Sequence, residues 1–308
     1  AHLNDNAEPT SYFVFQFDGT ERGVAIRDFW GRFYENKFKL FSLTTGMFAR
    51  PFGNEVNLSS ANRETPERGR MSQILMKTER DIGVMLTVSD RNKGSKWTNV
   101  KFDLGVFNGQ GMAGPMDYDS HKDFIGRISL KPTSFVKSSK AQLSAGISGY
   151  LGGITSQSNV LFRTQSINGG AFEMVKDSVG RNNGKVAPRK YAGVDAQLAF
   201  PNGKWETEFR GEYVWGNQTS TWANSETPGT YPVTNGQKDP LYIRHFNGAY
   251  FYFLQHLGSL EHQFVAKYDW YDPNSTVAGK QITAEQGFSK ADIRYNTFSG
   301  YRPWRSLV

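Results

Sequence analysis

Between residues 50 and 80 the chain concentrates groups that can hold anions. Arg50, Arg63, Arg68, Arg70, Lys77 and Arg80 stand there among Glu64, Glu67 and Glu79. A guanidinium is planar, stays charged at any working pH, and presents a fork that matches phosphate or carboxylate. Two readings are open. In one, the segment is a solvated surface loop whose charges pair among themselves. In the other, it folds into a pore, and Arg50, Arg63, Arg68 and Arg70 form a constriction that meets permeating anions. Glu64 and Glu67 can pair with those arginines and weaken the field, so the expected anion preference is modest.

Other candidate chemistry is thinner. Gly109, Gly111 and Gly114 match the G-x-G-x-x-G fingerprint. A dinucleotide site needs a helix to start there, so that its first amides meet the pyrophosphate. Pro115-Met116-Asp117-Tyr118-Asp119 is loop chemistry instead. Asp117, Asp119, His121 and Asp123 alternate as at the opening of a calcium loop. However, Lys122 stands where an EF-hand needs glycine, and Ile128 where it needs the bidentate glutamate. A solvated loop is the expectation, with a weak surface cation site as the alternative. The five histidines (His2, His121, His245, His256 and His262) sit in no nucleophile-elbow or zinc-protease pattern. No enzyme and no cofactor is expected. The absence of cysteine excludes a disulfide framework and cysteine-based metal sites. A net charge of +7 without any Lys/Arg block argues for a solvated surface or attraction of small anions, not for nucleic acid.

The elements that must carry these groups are strands. In residues 204–215, Trp205, Thr207, Phe209, Gly211, Tyr213 and Trp215 alternate with Glu206, Glu208, Arg210 and Glu212. Alternate side chains of a strand face opposite ways. One face is therefore aromatic and apolar, and the other carries four charges. Residues 122–131 set Phe124, Ile128 and Leu130 against Ile125, Arg127, Ser129 and Lys131. Residues 140–152 set Leu143, Ala145, Ile147 and Leu151 against Ser144, Ser148 and Tyr150. About twelve such segments are readable: 11–19, 23–34, 38–49, 80–89, 98–108, 122–131, 140–152, 190–200, 204–215, 241–256, 260–271 and 290–301. No amphipathic helix of useful length is evident.

From residue 35 onward the connections alternate in length. Residues 35–37, 90–97, 132–139, 201–203 and 257–259 are the shorter set. Residues 50–79, 109–121, 153–189, 216–240 and 271–289 are the longer. An outer-membrane barrel keeps short turns at one end and long loops at the other, whereas a soluble sandwich has no reason to. The mean hydropathy of −0.56 does not argue against this, because only every second barrel residue needs to be apolar. The expected fold is all-β, a transmembrane antiparallel β-barrel forming a single domain over 1–308. Its apolar alternation would face lipid. Glu206, Glu208, Arg210, Glu212, Arg127 and Lys131 would face the lumen. The chain opens on the polar stretch Ala1–Thr10, so a leader has been removed or the true start is lacking.

The order of several motifs is similar to that of the phosphate-selective porin O and P family. They are Gly46-Met47-Phe48-Ala49-Arg50-Pro51-Phe52-Gly53, then Glu79-Arg80-Asp81-Ile82-Gly83-Val84 after a long loop. Gly105-Val106-Phe107-Asn108-Gly109 and Lys122-Asp123-Phe124-Ile125-Gly126-Arg127 follow. Residues 246–253 and 267–273 complete the set, and the likeness runs over most of 20–303. The wording is closest to Bacteroidota-type members. The resemblance implies about sixteen antiparallel strands, commonly a homotrimer, in a bacterial outer membrane among lipid and lipopolysaccharide. It also implies that the loop after Pro51-Phe52-Gly53 is the constriction loop and that small anionic solutes pass. Two departures stand against it. Only about twelve strands are readable, so strands are expected to be missing at both ends. The Glu206, Glu208 and Glu212 face is not uniformly basic, which weighs against phosphate selectivity. The alternatives are a plugged non-channel barrel serving as scaffold or partner subunit, and a soluble all-β carbohydrate-binding protein.

Overall fold

The computed structural model describes residues 10–301, except 22, 60–62, 93–94, 96, 114–116, 135–139, 168–170, 180, 203–204 and 259–261. Expectations resting on residues 1–9, including His2, on Gly114, Pro115 and Met116, on Gly203 and on the end at Val308 lie outside the described residues.

The protein is all-β. Its strands are β1 (Ser11–Thr20), β2 (Gly23–Tyr34), β3 (Phe41–Ala49), β4 (Arg80–Ser89), β5 (Val100–Phe107), β6 (Asp123–Ser134), β7 (Gln142–Thr155), β8 (Leu161–Ile167), β9 (Ala171–Asp177), β10 (Val186–Asn202), β11 (Trp205–Ser220), β12 (Val233–Thr234), β13 (Gln237–Lys238), β14 (Leu241–His256), β15 (Gln263–Asp272) and β16 (Tyr295–Tyr301). One short helix, α1 (Arg70–Leu75), lies in the β3–β4 connection. A single sheet of 14 strands runs in the order β1-β2-β3-β4-β5-β6-β7-β10-β11-β14-β15-β16, with β8 and β9 attached off that path. All neighbours along the path are antiparallel. β1 and β16 are its two edges.

Each of the twelve path strands overlaps a segment read from alternation, although β10 and β11 run past theirs and the segment 290–301 opens on a 3₁₀ turn, Lys290–Asp292, with β16 starting only at Tyr295. The gaps between them hold the strands that alternation missed. β8 and β9 form a hairpin inside the longest connection, and β8 pairs in parallel with Leu241–Ile243 of β14. β12 and β13 form a second hairpin, closed by Asn235 (φ 49°) and Gly236 (φ 76°). Two successive left-handed residues are what a two-residue hairpin turn with the strands' own twist requires. The 153–189 and 216–240 connections are therefore folded segments, not bare loops.

The two faces of the sheet differ sharply. On one face, exposed apolar side chains meet across neighbouring strands in rows. Val84, Val106, Phe124 and Leu151 form one row over β4–β7. Ile128, Ile147, Val194 and Tyr213 form another over β6–β11. Phe251, Tyr268 and Phe298 extend the belt over β14–β16. The opposite face carries Asp28, Ser42, Thr44, Asp81, Asp103, Ser148, Asp195, Glu212, Lys267 and Asp269, all buried. A soluble sandwich has the reverse arrangement, with its apolar alternation turned inward.

The polar face is buried because the β3–β4 connection lies on it. Phe52, Val56, Met71, Ile74 and Leu75 of that connection pack with Tyr150, Tyr191, Val214, Phe246 and Tyr250 of the sheet into the main core. Within α1, Met71, Ile74 and Leu75 are spaced so that one helical face supplies them. The sheet curls toward this face. Glu55, six residues after the end of β3, stands 3.5 Å from Lys267 on β15. β15 is eight neighbours from β3 in the sheet order. Eight flat strand spacings would be roughly 38 Å, while six residues span about 20 Å at most. Two long side chains do not make up that difference on a flat sheet.

In an antiparallel meander, alternate connections share an end. The β3–β4, β5–β6, β7–β10, β11–β14 and β15–β16 connections therefore lie together, and they touch. Lys77 pairs with Glu226 at 2.9 Å, Trp222 Nε1 donates to Gly287 O at 2.7 Å, and Met174 N donates to Gln286 O at 2.9 Å. A second apolar cluster at this end joins Ile154, Leu161, Ala187, Tyr231 and Leu241, with Tyr118 and Ile243 against it.

Candidate functional site

The β3–β4 connection is fixed to the polar face by side chains from four strands. Gly53 N donates to Ser148 Oγ on β7 at 3.0 Å. Asn54 N and Glu55 N donate to Glu212 Oε2 on β11 at 3.0 and 3.1 Å, and Tyr250 OH on β14 donates to the same oxygen at 2.9 Å. Gly53 is left-handed (φ +62°), and a β-carbon there would collide with the Glu212 carboxylate. Glycine at this position is thus required twice over. Glu55, 2 % exposed, accepts from Gly69 N, Ser72 Oγ and Tyr252 OH at 2.9, 2.6 and 3.1 Å. Arg70 N donates to Asp269 Oδ1 on β15 at 3.0 Å.

The four arginines of the connection separate into two roles. Arg50 is 4 % exposed, donates to Thr78 O and stands 4.0 Å from Asp81. It is an internal anchor, and its fork is not available to a solute. Arg63, Arg68 and Arg70 line a recess of about 470 Å³ together with Lys77, Glu67 and Glu226. Arg68 and Arg70 also border a recess of about 400 Å³ facing Lys267, Asp269, Thr297 and Ser299 on β15–β16. Arg68 is held by Glu79 at 3.4 Å and by the carbonyls of Glu55 and Leu58. Arg70 reaches Gln73 Oε1 at 3.4 Å, with its guanidinium 5.9 Å from the Tyr295 ring. Arg63 Nε is buried without a hydrogen-bond partner among the described residues.

Glu206, Glu208, Arg210 and Glu212 share the polar face, while Trp205, Phe209, Tyr213 and Trp215 are exposed on the other. Arg210 forks Glu64 of the connection at 2.8 and 3.0 Å and Glu208 at 2.5 and 2.9 Å. Glu64 is therefore neutralised by the strand and not by Arg63 or Arg68. Glu206 is part-exposed, 3.9 Å from His256 Nε2. Arg127 is on the same face and is chelated by Asp195 at 2.6 and 2.9 Å, with Ser148 at 2.8 Å. Lys131 donates to Ser89 Oγ and Thr98 O at 2.9 and 2.8 Å.

At the mouth of this site, Glu79 gathers Arg27 at 2.8 Å, Arg80 at 2.5 Å and Arg68. Burial pushes its carboxyl up, but its backbone amide and the guanidinium groups of Arg68, Arg80 and Arg27 outweigh that and hold it below the ordinary carboxylate range. Arg80 also forks Asp28 at 2.9 and 2.8 Å.

The alternating acids of residues 117–123 do not converge. Asp117 pairs with Lys122 and accepts from Gln110 Nε2 at 3.1 Å. Asp119 accepts from Thr155 N at 2.9 Å. Asp123, fully buried, accepts from Tyr150 OH, from Gly153 N at 3.1 Å and from Arg189 Nη2 at 2.7 Å. Among the described residues no group of three or more His, Cys, Asp or Glu could hold a metal ion. Gly109 and Gly111 sit in a tight connection fixed by Asp81 Oδ2, which accepts from Gly109 N at 2.7 Å, and among the described residues of that connection the helical structure is a three-residue 3₁₀ turn, Gly111–Ala113.

Two buried pairs escaped the sequence reading: Arg189–Asp123, and Arg244–Asp292 at 2.8 Å with both side chains 0 % exposed. Their partners are 66 and 48 residues apart, and no local pattern links them. The one available signal was an arginine inside an otherwise apolar alternation.

A further recess, of about 620 Å³, is on the opposite face, among Phe209, Tyr213, Phe251, Phe253 and Phe298. Its surface is almost wholly apolar, and Arg210, the one cation of its lining, already forks Glu64 and Glu208, so the polar face is the candidate site. No protein-family model matches the chain, and no curated protein matches it.

Proposed function

We propose that this chain is the wall and constriction of a bacterial outer-membrane porin, which passes small hydrophilic solutes by diffusion with a mild preference for anions. One observation carries the reading. Every strand of a 12-strand meander turns apolar side chains outward, while the opposite, polar face receives a long connection rich in arginine. A bare apolar belt of this extent is unfavourable in water and favourable against lipid. An open sheet edge cannot stay unpaired in hydrocarbon, so β1 and β16 pair with each other or with further strands. The order of the porin O and P motifs supports the same reading, as does the sidedness of the connections. Trimeric assembly and contact with lipopolysaccharide belong to the proposal on the resemblance alone.

The anion preference is modest, because most cations of the site already hold carboxylates. What remains is the recess lined by Arg63, Arg68, Arg70 and Lys77, where Glu79 holds Arg68 and Glu226 holds Lys77, so that Arg63 and Arg70 supply the surplus. The test is conductance and reversal potential in planar bilayers, on protein extracted with detergent. Discrete open-channel steps with a reversal potential shifted toward the anion side are expected. Release into buffer without detergent would overturn the membrane reading in favour of a soluble carbohydrate-binding protein.

A second reading is favoured by the tight packing of the β3–β4 connection against β7–β15 and by the mutual packing of the long connections. In that reading the barrel is plugged and serves as a scaffold. Insertion without conductance would select it.

A further inference from the structure

The other side of the β3–β4 connection holds a recess of different character. It has a volume of about 400 Å³ and lies between Pro51–Asn57 and the polar face of β1–β6. Five of its lining groups are charged: Asp28, Arg32, Lys101, Asp103 and Arg127. Four of them are already satisfied. Asp28 is chelated by Arg80, Arg127 by Asp195, and Lys101 and Asp103 pair at 2.7 Å. Arg32 is different. Its Nε donates to Thr44 Oγ1 at 2.9 Å, and its guanidinium stands 5.2 Å from the centre of the Trp30 ring. Among the described residues no carboxylate is within ion-pair distance of it. One unpaired fork is thus held rigid by a hydrogen bond and an aromatic face. Beside it, Trp30, Phe48, Met85 and Pro51 make an apolar wall.

We propose that this recess is a selectivity subsite for small monocarboxylates with a flat apolar body, such as aromatic carboxylates. Arg32 takes the carboxylate as a bidentate pair, and the Trp30–Phe48–Met85 wall takes the ring. The inference rests on the channel reading and narrows it. The charges argue against inorganic phosphate as the preferred occupant. The lining has three cations and two carboxylates, a surplus of one. A dianion would face Asp28 and Asp103 and would lose hydration on every oxygen against an apolar wall, with one fork to replace it. A monocarboxylate needs one fork, and its ring loses nothing by leaving water. The size also fits, since small-molecule sites begin at about 300 Å³.

The test compares benzoate, phosphate and chloride as permeant anions under bi-ionic conditions, for the wild type, Arg32→Gln and Trp30→Leu. Binding of benzoate to the detergent-solubilised proteins is followed in parallel by saturation-transfer NMR. Wild type should favour benzoate over phosphate. Arg32→Gln should lower the benzoate-to-chloride ratio about tenfold, and Trp30→Leu should lower it with chloride conductance retained. Ratios unchanged in both variants, with chloride conductance intact, would overturn the subsite and leave the channel standing. A wild type that does not conduct but binds benzoate, and loses it in both variants, would keep the subsite and overturn the channel. A wild type that neither conducts nor binds would end both.

Discussion

Glu212, in the middle of β11, holds the backbone of Glu55 from 157 residues away: its Oε2 accepts the Glu55 amide at 3.1 Å and the Asn54 amide at 3.0 Å. Glu55 in turn gathers Gly69, Ser72 and Tyr252 with its own carboxylate. Two buried acids in series therefore tie the connection to the sheet. Glu212 accepts from backbone amides and the neutral Tyr250 hydroxyl, and Glu55 accepts in addition from Lys267 Nζ at 3.5 Å.

Replacing Glu212 with Leu leaves the buried Glu55 amide without its acceptor, at about 1–3 kcal/mol, and the part-buried Asn54 amide at less. Glu212→Gln keeps one carbonyl oxygen and should cost less. Limited proteolysis within residues 50–79 should accelerate for the leucine variant and stay close to wild type for glutamine. Equal resistance of all three proteins would mean that this contact does not hold the connection.

Phe209 is exposed amid the apolar belt. Phe209→Arg should destabilise the inserted protein by roughly 2–4 kcal/mol if the residue lies near the bilayer midplane. Denaturant titration in lipid vesicles measures this. A cost near zero would place Phe209 in water.

The Arg189–Asp123 pair is fully enclosed and adds Arg189 bonds to Gly109 O and Gly153 O at 2.9 and 3.1 Å. Truncating Arg189 to Ala strands a buried carboxylate and should cost about 3–5 kcal/mol. The double variant Arg189→Ala with Asp123→Asn should recover part of that loss in the same titration. Additive losses would show that the two side chains do not depend on each other.

Changing Arg63, Arg68 and Arg70 together to Ala removes three of the four cations of the loop recess and should move the reversal potential toward cations. Arg50 should not be included, because its replacement disturbs the fold at Thr78 and Asp81. A reversal potential unchanged with conductance intact would put selectivity elsewhere, with the Arg32 recess as the next candidate.

Glu79 has a folded-state pKa below its ordinary value, so its three arginine contacts stabilise the protein above that value. The contribution is lost as pH falls through the lowered folded value. Stability of the wild type should therefore fall on acidification below about pH 4.5, the ordinary value of the group, and Glu79→Gln should flatten that slope. Thermal unfolding of the two proteins over that range measures the difference, and parallel slopes would remove Glu79 from the account.

Twelve strands, their facing and the alternation of their connections were legible in the sequence, because each depends on residues two apart along one strand. Trp205, Phe209, Tyr213 and Trp215 could face only away from Glu206, Glu208, Arg210 and Glu212, wherever the strand was placed. The same local logic missed β8, β9, β12 and β13. Their alternation is short, and the Asn235-Gly236 turn stands in a connection whose composition is otherwise that of a loop. What the tertiary structure alone decided is which charges remain free. Arg50 looked like Arg63 in the sequence, yet Asp81 and a carbonyl occupy it. Glu64 looked like a partner for the neighbouring arginines, yet Arg210 claims it from 146 residues away. Arg32 carried no signal, because its freedom consists in what is absent around it. Charge pairing is set by distances across the curled sheet, and those distances follow from the way the connection after β3 folds onto the polar face.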